Sequence, residues 1–302
     1  MVEVVGDAAT VAVLALATMV PITLAALGEI VSEKAGIVNI GLEGIMLLAA
    51  WVAAASYLEA GVGYIGAYVL GAIVGLALGL IHGVLSVYLK GDQIVMGIGL
   101  NIFAVGATIL GTYALWGVFS NSPSFDPMPG LIVVSGVKIS PLVPATIALG
   151  IVLWAFLQKT VIGLRLRACG EDPRSAEAMG VNVLLYQVMA AGFSGLTAGL
   201  AGAYLSIDYQ GVFAKNMTAG RGFIALANVA FSGWDPLLAL LGGYLFGFFQ
   251  ALAISLNIAL QEEALSSIIN TIPYLATLAA VAVVARRRVR IPRWIGRPYI
   301  KE

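Results

Sequence analysis

Residues 94–118, IVMGIGLNIFAVGATILGTYALWGV, contain no formal charge, and the uncharged run extends from Asp92 to Asp126. No soluble domain needs such a stretch, whereas a helix of about 20 apolar residues crosses roughly 30 Å of hydrocarbon. The pattern recurs: 8–27, 41–60, 63–89, 141–160, 183–206, 235–260 and 265–285 read as further spans. Two other stretches, 29–40 and 219–233, are apolar but too short or too polar to span as ordinary helices. They read as half-helices or re-entrant pieces. The expectation is an all-α polytopic membrane protein, one domain over residues 1–302, with about eight long helices and two short ones. A composition 60% hydrophobic and 11% charged, with mean hydropathy +0.98, agrees and excludes a soluble class.

Net charge is zero, but seven of the sixteen basic residues lie between Arg286 and Lys301. Lys159, Arg165, Arg167 and Arg174 cluster near mid-chain, and Lys90 sits between two spans. The positive-inside rule makes all three regions cytoplasmic, with loops 119–140 and 207–218 outside. The basic tail, 286–302, then meets anionic lipid headgroups. The side of the N-terminus depends on whether 29–40 crosses: cytoplasmic if it does, outside if it does not. Glu3 and Asp7 argue against a cleavable signal peptide. The lone Cys169 excludes an internal disulfide, and the lone His82 excludes a multi-histidine metal site.

Gly71, Gly75, Gly79 and Gly83 recur every four residues, and Gly195 and Gly199 repeat that spacing, so backbones can approach closely there. Polar residues within spans cost free energy unless paired or wetted. Asn39, Glu43, Asn101, Asn228 and Arg221 are therefore candidate lining of a translocation path. Gln250 and Asn257 read as interhelical hydrogen bonds, and His82 as a packed helix residue. Segments 29–44 and 219–235 each combine glycines, an Asn and a charge, as interrupted helices in the two halves of a transporter do. On that basis the halves 1–150 and 151–302 would form an inverted repeat of five elements each.

Residues 165–182, RLRACGEDPRSAEAMGVN, form the densest polar island. They read as a short capped helix, with Asp172 as N-cap, Pro173 at the first helical position and Gly180 as terminator. A stiff helix held between two spans suits a site that a water-soluble partner pushes.

Three runs carry a resemblance: GEIVSEKAGIVNIGLEGIMLLAAW (28–51), RACGEDPRSAEAMGVNV (167–183) and GRGFIALANVAFSGWDP (220–236). In this order they resemble the permease subunits of ATP-binding-cassette importers. The superfamily is that of branched-chain amino acid, ribose and nucleoside permeases, and the nucleoside branch is the most similar. The resemblance implies about ten membrane elements and makes loop 165–182 a cytoplasmic coupling helix, matched at Gly170, Glu171, Asp172, Pro173, Arg174, Ala176, Glu177, Ala178 and Gly180. Ala176 and Ala178 would make it slim enough to enter a groove. It also implies three partner chains: a cytoplasmic ATPase holding ATP and Mg²⁺, a second permease, identical or related, and an extracytoplasmic substrate-binding lipoprotein. Neither a cofactor in this chain nor a nucleic-acid partner is implied, and no Gly-x-x-x-x-Gly-Lys-Ser/Thr loop occurs. Few intramembrane charges and several amides favour a neutral nucleoside over a ribose-like sugar or a branched-chain amino acid.

Two rival readings remain. Gly192-Phe193-Ser194-Gly195 matches the Gly-x-Ser-Gly of rhomboid proteases, but His82 precedes the serine and a nucleophile needs a base within reach. An ion-coupled secondary transporter would explain the broken segments, but not the capped island, and no obvious mid-membrane carboxylate is present to carry protons.

Overall fold

The structure, a computed structural model, describes residues 8–260, 265, 268–285 and 291–300. Seven helices among them are long and apolar enough to cross a membrane. They are α1 (Ala8–Lys34), α2 (Leu42–Ala60), α3 (Gly63–Val87), α4 (Gln93–Trp116), α5 (Leu142–Lys159), α8 (Val183–Tyr204) and α10 (Pro236–Leu260). Shorter helices are α6 (Val161–Glu171), α7 (Pro173–Ala178), α9 (Arg221–Phe231) and α11 (Ile272–Ala285). A hairpin of β1 (Ile132–Val134) and β2 (Val137–Ile139) is the only sheet among the described residues, so the fold is all-α in substance.

The expectation for 29–40 is corrected. No separate half-helix forms there: α1 runs 27 residues through Pro21 to Lys34, and 35–41 folds back as a turn. The helix does not stop at its polar residues because they face protein. Glu29 is wholly buried and accepts hydrogen bonds from Ser194 Oγ and from the Asn39 amide, each at 2.7 Å. One turn later, Glu33 accepts from Trp234 Nε1 at 2.5 Å. The likeness drawn between 29–44 and 219–235 therefore does not extend to their shapes, since only the second contains a short helix of its own, α9.

Because 29–40 does not cross on its own, Ala8 lies at the opposite end of the bundle from Lys34. The Lys34 end gathers Lys90, Gly170 and residues 291–300 and is called here the basic face. The other end, the loop face, carries residues 117–141 and 211–215, and 216–220 dips from it into the bundle as far as Glu43. There Ser122 and Phe125 donate their amides to the carbonyls of Phe213 and Gly211 at 2.9 and 2.8 Å. α8 ends at this face in a π-helical turn, Leu205–Gln210, whose Asp208 accepts from Tyr68 at 3.3 Å and from Ser140.

α1 and α8 are the most encased helices, and α4 lies at the edge. The glycine stripe of α3 meets the glycines of α8. A Cβ on Gly75 would stand 2.3 Å from the Gly195 carbonyl oxygen, and one on Gly79 2.5 Å from that of Ala191. Only hydrogen fits at such contacts, which let dispersion act between two backbones. Helix starts follow sequence chemistry. Asp92 caps α4 through the amides of Ile94 and Val95 at 2.9 and 3.0 Å, and Thr160 and Asn182 cap α6 and α8.

Of the basic tail, Arg286, Arg287, Arg288, Arg290 and Lys301 lie outside the described residues, as do Glu3 and Asp7. Residues 291–300 are described, and their backbone packs on the bundle while Arg293 and Arg297 stay exposed. The Trp294 amide donates to the Gly170 carbonyl at 2.9 Å, the Gly296 amide donates to that of Gly36 at 3.1 Å, and Tyr299 is buried.

Candidate functional site

A cavity of about 480 Å³ opens between α2, α4 and the loop that enters α9. Its walls include Glu43, Leu47, Asn101, Ile102, Val105 and Phe223, and most of the lining is apolar. Glycines make the junction. A Cβ on Gly44 would stand 2.7 Å from Asn101 Cα, and one on Gly222 2.5 Å from the Glu43 amide nitrogen.

The polar groups here mostly satisfy helix ends. Glu43 spreads its carboxylate across the start of α9: Oε1 accepts from the Gly220 amide and Oε2 from the Gly222 amide, each at 2.7 Å. These are among the amides that a helix start leaves unpaired, at the positive end of the helix dipole. Asn101 does the same for α2, accepting from the Gly44 amide at 2.7 Å while donating to the Ile40 carbonyl at 3.1 Å. A half-buried charge is thereby made into a joint between α2 and α9. Glu43→Ala strands two amides, each costing about 1–3 kcal/mol when buried without a partner. A fall of several degrees in the thermal midpoint of the purified protein is expected, with a smaller fall for Glu43→Gln, which keeps one acceptor. Equal midpoints for wild type and Glu43→Ala would refute the joint.

The other candidate path residues are placed differently. Arg221 lines a second cavity of about 310 Å³, which shares Ala219 with the first. Its guanidinium reaches Gln250 Oε1 at 3.3 Å and the Met217 carbonyl at 2.9 Å. Asn39 and Asn228 line neither cavity. Asn39 is fully buried and accepts from the Gly41 amide at 3.0 Å, and Asn228, also fully buried, donates to the Ala239 carbonyl at 3.0 Å. Both serve turns and helix ends, as Asn does wherever it can bond nearby backbone. Phe223, Asn216 and Thr218, absent from the sequence-based set, stand on the cavity wall.

Glu29 and Glu33 are buried carboxylates that the sequence reading did not single out, and they lie in the last two turns of α1. Their spacing of four residues, which puts both on one helix face, is the signal that could have found them. The protease constellation is absent. Ser194 donates to Glu29, and the His82 ring nitrogen Nε2 pairs with the Val38 carbonyl at 3.0 Å, so the histidine and serine are engaged elsewhere.

The island forms the capped helix. The carboxylate of Asp172 accepts from the Ser175 hydroxyl at 2.5 Å and from its amide at 3.2 Å, Pro173 takes the first helical position, and Gly180 follows the end of the helix at φ +82°. The Ser175 hydroxyl, followed by its amide, holds the Asp172 carboxyl below the usual carboxylate range. The charged cap is thus present at neutral and mildly acidic pH and is lost only as pH falls through that lowered value. Which residues face outward differs from the sequence reading. Ala176 is buried beside Cys169, Val183 and Tyr299, while Ala178 is exposed and Met179 is 84% exposed. Asp172 and Arg174 are exposed, and Glu171 and Glu177 are half-buried. Pro173 packs inward. Gly170 serves close packing, since a Cβ there would stand 2.3 Å from the Lys34 carbonyl oxygen. Burial pushes the Cys169 thiol up to about 11, so it stays protonated and unreactive at neutral pH.

The comparisons with known proteins bear on this geometry. Residues 11–278 match the family described as branched-chain amino acid transport system / permease component. A putative glucose ABC transporter permease protein of Haloferax volcanii is 34% identical, over 92% of this chain and 94% of its own length. A guanosine ABC transporter permease protein of Bacillus subtilis is 33% identical, over 93% of each chain. A nucleoside ABC transporter permease protein of Lactococcus lactis is 32% identical, again over 93% of each.

Proposed function

This chain belongs to the branched-chain amino acid transport system permease component family, and from that premise we propose that it moves nucleosides inward in an ATP-driven importer. That it is a multi-pass membrane permease component of an ABC transporter follows from the family match and the seven membrane-length helices. Direction, energy source, cargo and partners are the proposal.

The observation that carries the cargo reading is the cavity lining. At about 480 Å³ the cavity lies within the roughly 300–1,000 Å³ typical of small-molecule sites. Leu47, Ile102, Val105 and the half-exposed ring of Phe223 suit the flat apolar faces of a nucleobase. A free sugar would present hydroxyls to that wall, yet Glu43 and Asn101 already spend their polar atoms on backbone. An amino acid would bring two charges with no free counter-charge on the lining. The guanosine and nucleoside permeases among the relatives support the same choice, while the putative glucose permease marks the alternative.

In this reading the basic face is cytoplasmic, with the C-terminus, and α7 sits in a groove of an ATPase that supplies ATP and Mg²⁺. A second permease completes the path, and a binding lipoprotein delivers cargo to the loop face. ATPase closure pushes α7, tilts α5 and α8, and opens the cavity to the loop face; release of the ATPase reverses the tilt.

The test is uptake of radiolabelled guanosine, adenosine and uridine into proteoliposomes holding the co-purified subunits, with glucose, ribose and leucine as competitors. ATP-dependent nucleoside uptake that unlabelled nucleoside, but no sugar, competes away is expected. Base–aromatic stacking worth about 1–3 kcal/mol predicts a loss of about fivefold or more in Phe223→Ala, with Phe223→Tyr retaining uptake. Sugar uptake in place of nucleoside uptake would overturn the cargo. Uptake by this chain alone under an ion gradient would overturn the energy source.

A further inference from the structure

Helix α7 has six residues, too few to hold itself helical in water, so its position depends on what packs under it. Under it lies residue 299 of the tail. The ring of Tyr299, 4% exposed, shares a cluster with Ala176, Cys169 and Val183. Its hydroxyl donates to the Glu177 carboxylate, and its carbonyl accepts from the Lys90 ammonium. The same ten-residue stretch bonds Gly170 through Trp294 and Gly36 through Gly296, and packs Ile295 on the main core. One strap thus joins the turn after α3, both short helices of the island and the turn after α1.

Gly36 leads directly to the cavity. From there the chain passes Val38, whose amide donates to Gln93 Oε1 at 2.8 Å, and Asn39, whose amide donates to Glu29. It then reaches Glu43, which holds the start of α9 at the cavity wall. Apart from the Tyr299–Glu177 bond, each link is a covalent neighbour or a hydrogen bond with a backbone group at one end. By contrast, α7 is joined to α8 by a short turn at Gly180, in which the Gly180 and Val181 amides bond back to the Glu177 and Ala176 carbonyls, and beyond the packing of Ala176 beside Val183 few contacts bind the two helices.

We propose that residues 291–300 carry the movement of α7 to the cavity, with Tyr299 as the positioning residue that engages α7 and the 36–43 segment as the rod. This deepens the reading of α7 as the ATPase-coupled helix and rests on it. The tail is then part of the transmission, and the tilt of α5 and α8 is its consequence.

Spatial continuity alone does not establish coupling, so the test is a double-mutant cycle. Nucleoside molecules moved per ATP hydrolysed would be measured in proteoliposomes for wild type, Tyr299→Phe, Glu177→Met, which removes the acceptor at similar length, and the double variant. Asp172→Lys serves as a control on α7 itself. Tyr299→Phe keeps the buried ring and loses only the hydroxyl, so the ATPase should co-purify in normal amount. A fivefold or larger fall in the ratio is expected for each single variant, with no further fall in the double because both remove one bond. A simple loss of folded protein lowers uptake and hydrolysis together and leaves the ratio unchanged. Lys90→Gln, which frees the other side of Tyr299, gives a second route to the same fall. An unchanged ratio in Tyr299→Phe and Lys90→Gln, with Asp172→Lys inactive, overturns the strap and leaves the role of α7 standing. Normal uptake by Asp172→Lys overturns the role of α7, and the strap with it.

Discussion

Replacing Gly195 with valine is expected to leave almost no folded chain in the membrane. A Cβ at this position would stand 2.2 Å from the Gly75 carbonyl oxygen and 2.7 Å from Gly79 Cα. Overpacking a core costs about 1–3 kcal/mol when side chains can shift. Here the obstacles are backbone atoms of α3, so relief requires moving a whole helix away from α8. The cost then reaches a large part of the roughly 5–15 kcal/mol that holds a typical domain folded. Membrane-fraction yield and the thermal midpoint of the purified protein measure it. Gly99→Ala is the matched control, because nothing lies within 4 Å of a Cβ there and α4 should tolerate it or gain slightly. Wild-type yield from Gly195→Val would refute the close packing of α3 on α8.

The second large effect concerns the island. Asp172→Lys is expected to abolish nucleoside uptake while the binding lipoprotein still captures its ligand normally. Two losses combine: the Ser175 amide and hydroxyl lose their acceptor, and an exposed negative charge becomes positive beside Arg174. Asp172→Asn separates them, since asparagine caps helix starts as well as aspartate does. If capping dominates, Asp172→Asn transports normally. If charge on the docking surface dominates, it fails with the lysine variant. Undiminished uptake by Asp172→Lys would remove the coupling role from α7.

The architecture was legible where the physics is local. Apolar runs of span length gave the helices, and Asp172, Pro173 and Gly180 gave the short helix, because caps and left-handed glycines act within four residues. The glycine spacing on α3 and α8 announced their contact. Readings failed where a distant partner decides the outcome. Glu29 and Glu33 made 29–40 look unfit for a long helix, yet Ser194 and Trp234, 165 and 201 positions further on, provide their hydrogen bonds. Asn39 and Asn228 are engaged by nearby backbone, the Gly41 amide and the Ala239 carbonyl, and no sequence pattern tells such an amide from one that faces a cavity. Tyr299 was invisible in a tail read by its arginines.

Those two glutamates also constrain how the protein is made. The first helix leaves the ribosome carrying two carboxylates in its last two turns, near the basic face, where a charge costs less than at the centre of a lone helix in lipid. The residues that shelter them are synthesised much later, so until then both carboxylates depend on water at that end of the helix. Their final partners come with the eighth helix and then with the turn that follows the ninth. A chain interrupted before Trp234 therefore lacks the indole that pairs with Glu33, so the last turns of the first helix reach their final state only when three quarters of the chain has been made.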